Sequence, residues 1–156
     1  MAGLLVVDDD PLIAGMLRLV LETEGYEVRE AADGEAALDA MATDPPDCMV
    51  LDLMMPRVNG YGVLEAMRER GLDGQTRVVM LTCCSQEEDV ERCFRLGADE
   101  YLTKPVDVDY LLDTVRDLMA QTMGDLRTRR DRATDPAELR QRVNGALCRH
   151  KEFLAG

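Results

Sequence analysis

The sequence predicts an α/β protein built on a doubly wound, five-stranded parallel sheet. Three observations lead there. Strand-like and helix-like segments alternate five times over the first 120 residues. Strands 1, 3 and 4 are apolar almost throughout, as expected for strands covered on both faces by helices. The polar residues that interrupt the pattern fall at the carboxyl ends of strands, where sheets of this kind carry their sites.

Each element follows in order. Leu4–Val7 is an apolar run too short for a helix, followed by three acids, and reads as strand 1. Leu12, Ile13, Met16, Leu17, Val20 and Leu21 recur at helical spacing, and Gly25 stops that helix. Tyr26–Arg29 alternates as strand 2. Asp33 and Gly34 open a second helix carrying Ala36, Ala37, Leu38 and Met41, ended by Pro45 and Pro46. Cys48–Leu53 is strand 3, interrupted by Asp52. Asn59 starts a third helix with Leu64 and Met67. Arg77–Leu81 is strand 4. Gln86–Leu96 is a fourth helix with Val90, Cys93 and Phe94 on one side, capped by Gly97. Glu100–Leu102 is strand 5, and Asp107 begins a fifth helix with Leu111, Leu112, Val115, Leu118 and Met119. Asp10 reads as an N-cap before Pro11, and Asp33 as another.

The chain has 156 residues, and its charge is uneven. Residues 1–120 hold 26 acids against 10 bases, a net −16; residues 121–156 hold 5 against 8, a net +3. Phosphate backbones would repel the acidic part, which argues against nucleic-acid binding. No apolar run approaches the roughly 20 residues of a membrane span, and the amino terminus lacks signal-peptide character. The expectation is a cytoplasmic protein without membrane contact. The five cysteines (Cys48, Cys83, Cys84, Cys93, Cys148) show no metal spacing and read as reduced thiols. His150, the one histidine, reads as a surface group of the tail.

The predicted sheet gathers Asp8, Asp9 and Asp10 after strand 1, Asp52 near the end of strand 3, Thr82 after strand 4 and Lys104 after strand 5 on one edge. Several carboxylates in one cleft repel each other and call for a cation; Mg²⁺ suits an open, all-oxygen site. A lysine and a threonine beside them suit a phosphoryl group, whose transfer needs mainly positioning and charge compensation. An aspartate can serve as the nucleophile. Among 16 Arg and 2 Lys in the chain, Lys104 is the sole lysine of residues 1–120, a compact point charge where the rest of the sequence uses arginine.

These segments carry a resemblance. LLVVDDDP (4–11), VLDLMMP (50–56) followed by NG (59–60), VVMLT (78–82) and GADEYLTKP (97–105), with 30 residues from Asp52 to Thr82 and 22 from Thr82 to Lys104, resemble the receiver domain of two-component response regulators, over residues 3 to about 120. The resemblance implies a flavodoxin-like (βα)5 fold with strand order 2-1-3-4-5. It implies a receiver over residues 1–121, with 122–156 as a basic helical extension or linker. It implies Asp52 as phosphoacceptor from a histidine kinase or phosphotransfer protein. Mg²⁺ would be held by Asp8, Asp9, Asp52 and the backbone carbonyl of Met54. Thr82, Lys104 and the backbone amide of Cys83 would bind the phosphoryl group. Thr82 and Tyr101 would act as the switch, and Pro105 would support the Lys104 loop, for which a cis bond is available. Plain packing is the competing reading of Tyr101.

The implied output is a change on the face of helix 4, strand 5 and helix 5, for dimerisation or target binding, with Arg92, Arg95, Asp99, Glu100, Asp109 and Arg116 as charges available there. A pseudo-receiver that only binds partners is the alternative, although no site residue is missing. A haloacid-type phosphatase would want a second acid where Met54 stands, and three acids after strand 1 would repel a flavin phosphate. Met54 departs from the polar residue many relatives carry, and Cys83, followed by Cys84, from the small residue usual at its position. An apolar side chain at 54 cannot orient an attacking water, so slow self-dephosphorylation is expected.

In the tail, Asp125–Arg132 reads as a prolongation of helix 5 or a linker. Asp135, Pro136 and Glu138 then make an N-cap, N1 proline and capping box. They open a helix to about Phe153 with a stripe of Leu139, Val143, Ala146 and Leu147. That stripe must fold onto the receiver, pair with a second copy or dock on a partner. Arg127, Arg129, Arg130 and Arg132 opposite an acidic domain favour self-association.

Overall fold

The computed structural model describes residues 2–155. Its elements are β1 (Gly3–Val7), α1 (Pro11–Glu22), β2 (Glu27–Ala31), α2 (Gly34–Thr43), β3 (Cys48–Leu51), α3 (Gly60–Glu69), β4 (Arg77–Thr82), α4 (Glu87–Arg95), β5 (Glu100–Thr103), α5 (Val108–Ala120), α6 (Met123–Arg132) and α7 (Pro136–Ala155). All strand pairs are parallel and the order is β2-β1-β3-β4-β5. The flavodoxin-like arrangement expected from the sequence is therefore present.

Period-two alternation splits the sheet's side chains between two cores. Leu5, Val7, Met49, Leu51, Val78, Met80 and Tyr101 face α2, α3 and α4. Leu4, Val6, Cys48, Val50, Val79, Leu81 and Leu102 face α1 and α5. Helix starts are fixed by side chains that accept hydrogen bonds from otherwise unpaired amides. Asp10 accepts from Leu12, Asp33 from Ala36, Asn59 from Gly62 and Asp107 from Tyr110.

The structure differs from the sequence reading in three places. In α1 the buried residues are Ala14, Leu17 and Leu21, whereas Leu12 is 83% exposed and Met16 and Leu19 are also exposed. β3 ends at Leu51, so Asp52 stands just outside the strand. The arginine-rich stretch is a separate helix, α6, because the Thr122 hydroxyl caps it by accepting from the amide of Asp125. Leu126 of α6 joins the α1/α5 core, and Leu139, Val143 and Ala146 of α7 join the other, so α7 lies against α4 and the edge strand β5. Among the described residues no helix is long and apolar enough to cross a membrane.

Candidate phosphoryl and metal site

The sheet ladder sets the positions of the charged residues. Just past each strand end, one more amide bonds to the neighbouring strand: Asp8 N–H to the Ala31 carbonyl (3.2 Å), Asp52 N–H to Val7 (3.0 Å) and Lys104 N–H to Thr82 (2.9 Å). Side chains that sequence reading places on one edge are thereby held side by side.

Asp8, Asp9 and Asp52 each present a carboxylate oxygen within 4.8 Å of the others'. Asp8 is 3% exposed and Asp52 6%, while Asp9 faces solvent. The Lys104 ammonium donates to Asp8 Oδ2 at 2.7 Å and to Asp52 Oδ2 at 3.1 Å. The remaining oxygens are also used: Asp8 Oδ1 accepts from the Asp10 amide and Asp52 Oδ1 from the Met54 amide. Burial alone would lower the Lys104 pKa, but hydrogen bonds and the charges of Asp8 and Asp52 outweigh it and hold the ammonium above its ordinary value.

One ammonium faces three carboxylates, which leaves excess negative charge in a partly buried cup. All its donors are oxygens, and one carboxylate is open to water. That set fits Mg²⁺, which keeps several waters and takes one or two carboxylates.

Thr82 ends β4 fully buried, and its hydroxyl accepts from the Cys84 amide at 3.3 Å. Cys83 is exposed in the loop that follows. Tyr101 is 1% exposed, and its hydroxyl donates to the Cys84 carbonyl at 2.6 Å. Burial pushes its pKa upward. The Lys104–Pro105 bond is cis. The Met54 side chain points outward, 65% exposed.

Asp8, Asp9, Asp52, Thr82 and Lys104 lie at this edge, Met54, Cys83 and Pro105 in the loops beside it, and Tyr101 within β5. The sequence reading missed the Cys84 backbone, which joins Thr82 to Tyr101; a main-chain group leaves no residue-type signal. It also misplaced two others. Asp99, read as a surface charge, is buried and accepts from Arg130 and from the Val78 amide. His150, read as a surface group, is half-buried against the Thr103 hydroxyl.

Known proteins resemble this chain in sequence and in fold. RpaA of Synechocystis, a DNA-binding dual master transcriptional regulator, is 39% identical over 122 residues, covering 78% of this chain and 51% of RpaA. The transcriptional regulatory protein DltR of Streptococcus agalactiae is 36% identical over 160 residues, covering 97% of this chain and 69% of DltR. The chain thus spans about half the length of RpaA. The response regulator TrrA of Thermotoga maritima, solved with Mg²⁺ and beryllofluoride, superposes with a TM-score of 0.68 at 34% identity, covering 76% of this chain and 99% of TrrA. The family profile for the response regulator receiver domain matches residues 4–116. The acidic cup, its single lysine and the parallel sheet beneath them therefore belong to a member of the response regulator receiver domain family of two-component signalling.

Proposed function

We propose that Asp52 is the phosphoacceptor of a Mg²⁺-dependent phosphorelay receiver, with residues 1–121 as the receiver unit and 122–156 as a basic helical extension. The observation that carries this reading is the Lys104 ammonium bridging Asp8 and Asp52 beside the open carboxylate of Asp9.

An Asp52 carboxylate oxygen attacks phosphorus of a phosphohistidine on a histidine kinase or phosphotransfer protein. The new O–P bond forms as the P–N bond breaks, and the electron pair leaves with the imidazole, which recovers a proton. Lys104 neutralises the phosphoryl oxygens in this reading, and the Thr82 hydroxyl and Cys83 amide hydrogen-bond them. Mg²⁺ on Asp8, Asp9, Asp52 and the Met54 carbonyl would supply charge compensation for the transferred group. Tyr101, bonded to the loop after Thr82, carries the change toward the face of α4, β5 and α5, which serves dimerisation or partner binding. Hydrolysis of its own acyl phosphate resets the switch.

Acetyl phosphate with Mg²⁺ tests the chemistry. Wild type should gain the mass of one phosphoryl group, and Asp52→Asn should not. Wild type that stays unmodified would leave only a pseudo-receiver that binds partners without phosphorylation. Size-exclusion chromatography with beryllofluoride and Mg²⁺ reads the assembly. The name of RpaA carries DNA binding, but residues 1–120 of this chain are strongly acidic, so its own output is proposed to run through protein contacts.

A further inference from the structure

Helix α7 is built into the receiver where the signal would emerge. Val143 and Ala146 are buried in the same cluster as Phe94, Ala98 and Tyr101. The Arg142 guanidinium stacks on the Phe94 ring at 4.1 Å and donates to the Asp99 carbonyl at 2.8 Å. Further along α7, Arg149 pairs with Glu100 at 3.7 Å, and His150 is hydrogen-bonded to Thr103. Phe94 packs on Tyr101 with the rings tilted at 55° and their centroids 6.4 Å apart. Tyr101 in turn fixes the Cys84 carbonyl, and the Cys84 amide fixes Thr82. A continuous set of contacts thus runs from α7 to the loop that borders the acidic cup.

The docking is firm but incomplete. A cavity of about 220 Å³ remains between α7 and the β5–α5 surface, walled by Tyr101, Thr103, Tyr110, Ala146 and His150. Among the described residues, Arg142 Nη1 and Arg149 Nε are buried without a hydrogen-bond partner. Burial, with the nearby Arg129 charge, lowers the Arg142 pKa to about 10. Imperfect packing and unpaired donors limit how much α7 gains by docking, so its attachment is weaker than that of a core helix.

We propose that α7 is a resident ligand of the α4–β5 face whose docking holds Tyr101 buried and thereby orders the loop of residues 83–86. A phosphoryl group on Asp52 needs that same loop ordered around Thr82 and Cys83, a step that rests on the function proposed above. Two events that order one segment favour each other, because the second finds the entropy cost already met. The coupling is reciprocal: docked α7 tightens the pocket, and an occupied pocket tightens α7.

Hydrogen–deuterium exchange on the full-length chain tests this. Val143→Glu buries a charge under α7 and should free it; Asn144→Glu adds the same charge on the exposed side of the helix as a control. Arg142→Ala removes a docking contact without burying a charge, and serves where Val143→Glu disturbs the sheet. Freed α7 should raise exchange of the 83–86 amides about fivefold and weaken beryllofluoride binding in Mg²⁺ by a similar factor, with the control unchanged. Exchange of 83–86 that stays at the wild-type rate while α7 is free would overturn the proposal. A loop that responds to α7 in a protein that binds no beryllofluoride supports the α7 link and sinks the phosphoacceptor reading instead.

Discussion

Lys104 shows how one side chain sets the properties of the pocket. It is the single cation against two nearly buried carboxylates. Replacing it with methionine leaves Asp8 and Asp52 with uncompensated charge, and removing one partner of a buried pair costs about 3 kcal/mol. Because the folded-state pKa of Lys104 is raised, its contribution is fully present below the ordinary lysine value and is lost as pH climbs through the folded one. Urea unfolding of wild type and Lys104→Met should therefore differ by a constant amount from neutrality to about pH 10, and the difference should shrink above that. Met54 governs a different quantity. Its exposed thioether cannot orient water, so Met54→Asn should shorten the acyl-phosphate lifetime on the order of tenfold, about 1.4 kcal/mol of barrier. A lifetime that does not shorten would show that water reaches phosphorus without help from this side chain. The thiols separate in the same way. Burial pushes Cys48 up to about 12 and Cys93 upward as well, while Cys83 and Cys148 are exposed. Iodoacetamide at pH 8 should label the exposed pair in the native state and the buried pair only after unfolding.

At the scale of elements, two glycines make opposite predictions. A Cβ on Gly60, at the start of α3, would stand 2.6 Å from the Asp52 carbonyl oxygen and 2.8 Å from Leu53 Cα. Both are backbone atoms that cannot swing away. Gly60→Ala should destabilise by about 3 kcal/mol and, by pushing on residue 52, slow phosphorylation. Gly15 in α1 has nothing within 4 Å of its Cβ position, so Gly15→Ala should stabilise by about 0.5–1 kcal/mol. Thermal denaturation of the two variants checks both signs. The same elements show what a sequence can and cannot disclose. The carboxyl-edge cluster was legible because fully apolar strands mark a parallel sheet whose polar interruptions fall at strand ends, whereas the strand order came from the resemblance that the ordered motifs carry. The buried face of α1 was not legible: Leu12, Met16 and Leu19 make one helical stripe, and Ala14, Leu17 and Leu21 make another on the opposite side. Periodicity gives the angle between residues but not which of two apolar stripes turns to the sheet. The separate helix α6 was legible in principle, since Thr122 and Asp125 have the spacing of a helix start, but the density of arginine around them hid it.

For the whole molecule, α6 of the extension meets the receiver at the end of the sheet opposite the acidic cup, while α7 runs along α4 and β5. Arg130 of α6 donates to Asp99 through Nε at 2.8 Å and Nη2 at 2.6 Å, and also to the carbonyls of Asp73 at 2.6 Å and Thr76 at 3.0 Å. Asp99 is 1% exposed and also accepts from the Val78 amide near the start of β4. Burial opposes the Arg130 charge, yet Asp99 holds its pKa above the ordinary value. A division at residue 121 therefore cuts the receiver's buried carboxylate from its cation. Arg130→Met should lower the unfolding free energy by about 3–5 kcal/mol, because the loss is dominated by the charge left behind. Arg132→Met, in the same helix but exposed, should change it by less than about 0.5 kcal/mol. Adding Asp99→Asn to Arg130→Met removes the stranded charge and should recover part of the loss, a non-additivity characteristic of direct contact. If Arg130→Met cost no more than Arg132→Met, the extension would be an appendage resting on a self-sufficient receiver. If the double variant recovers stability, residues 122–155 complete the fold on which the Asp52 pocket stands.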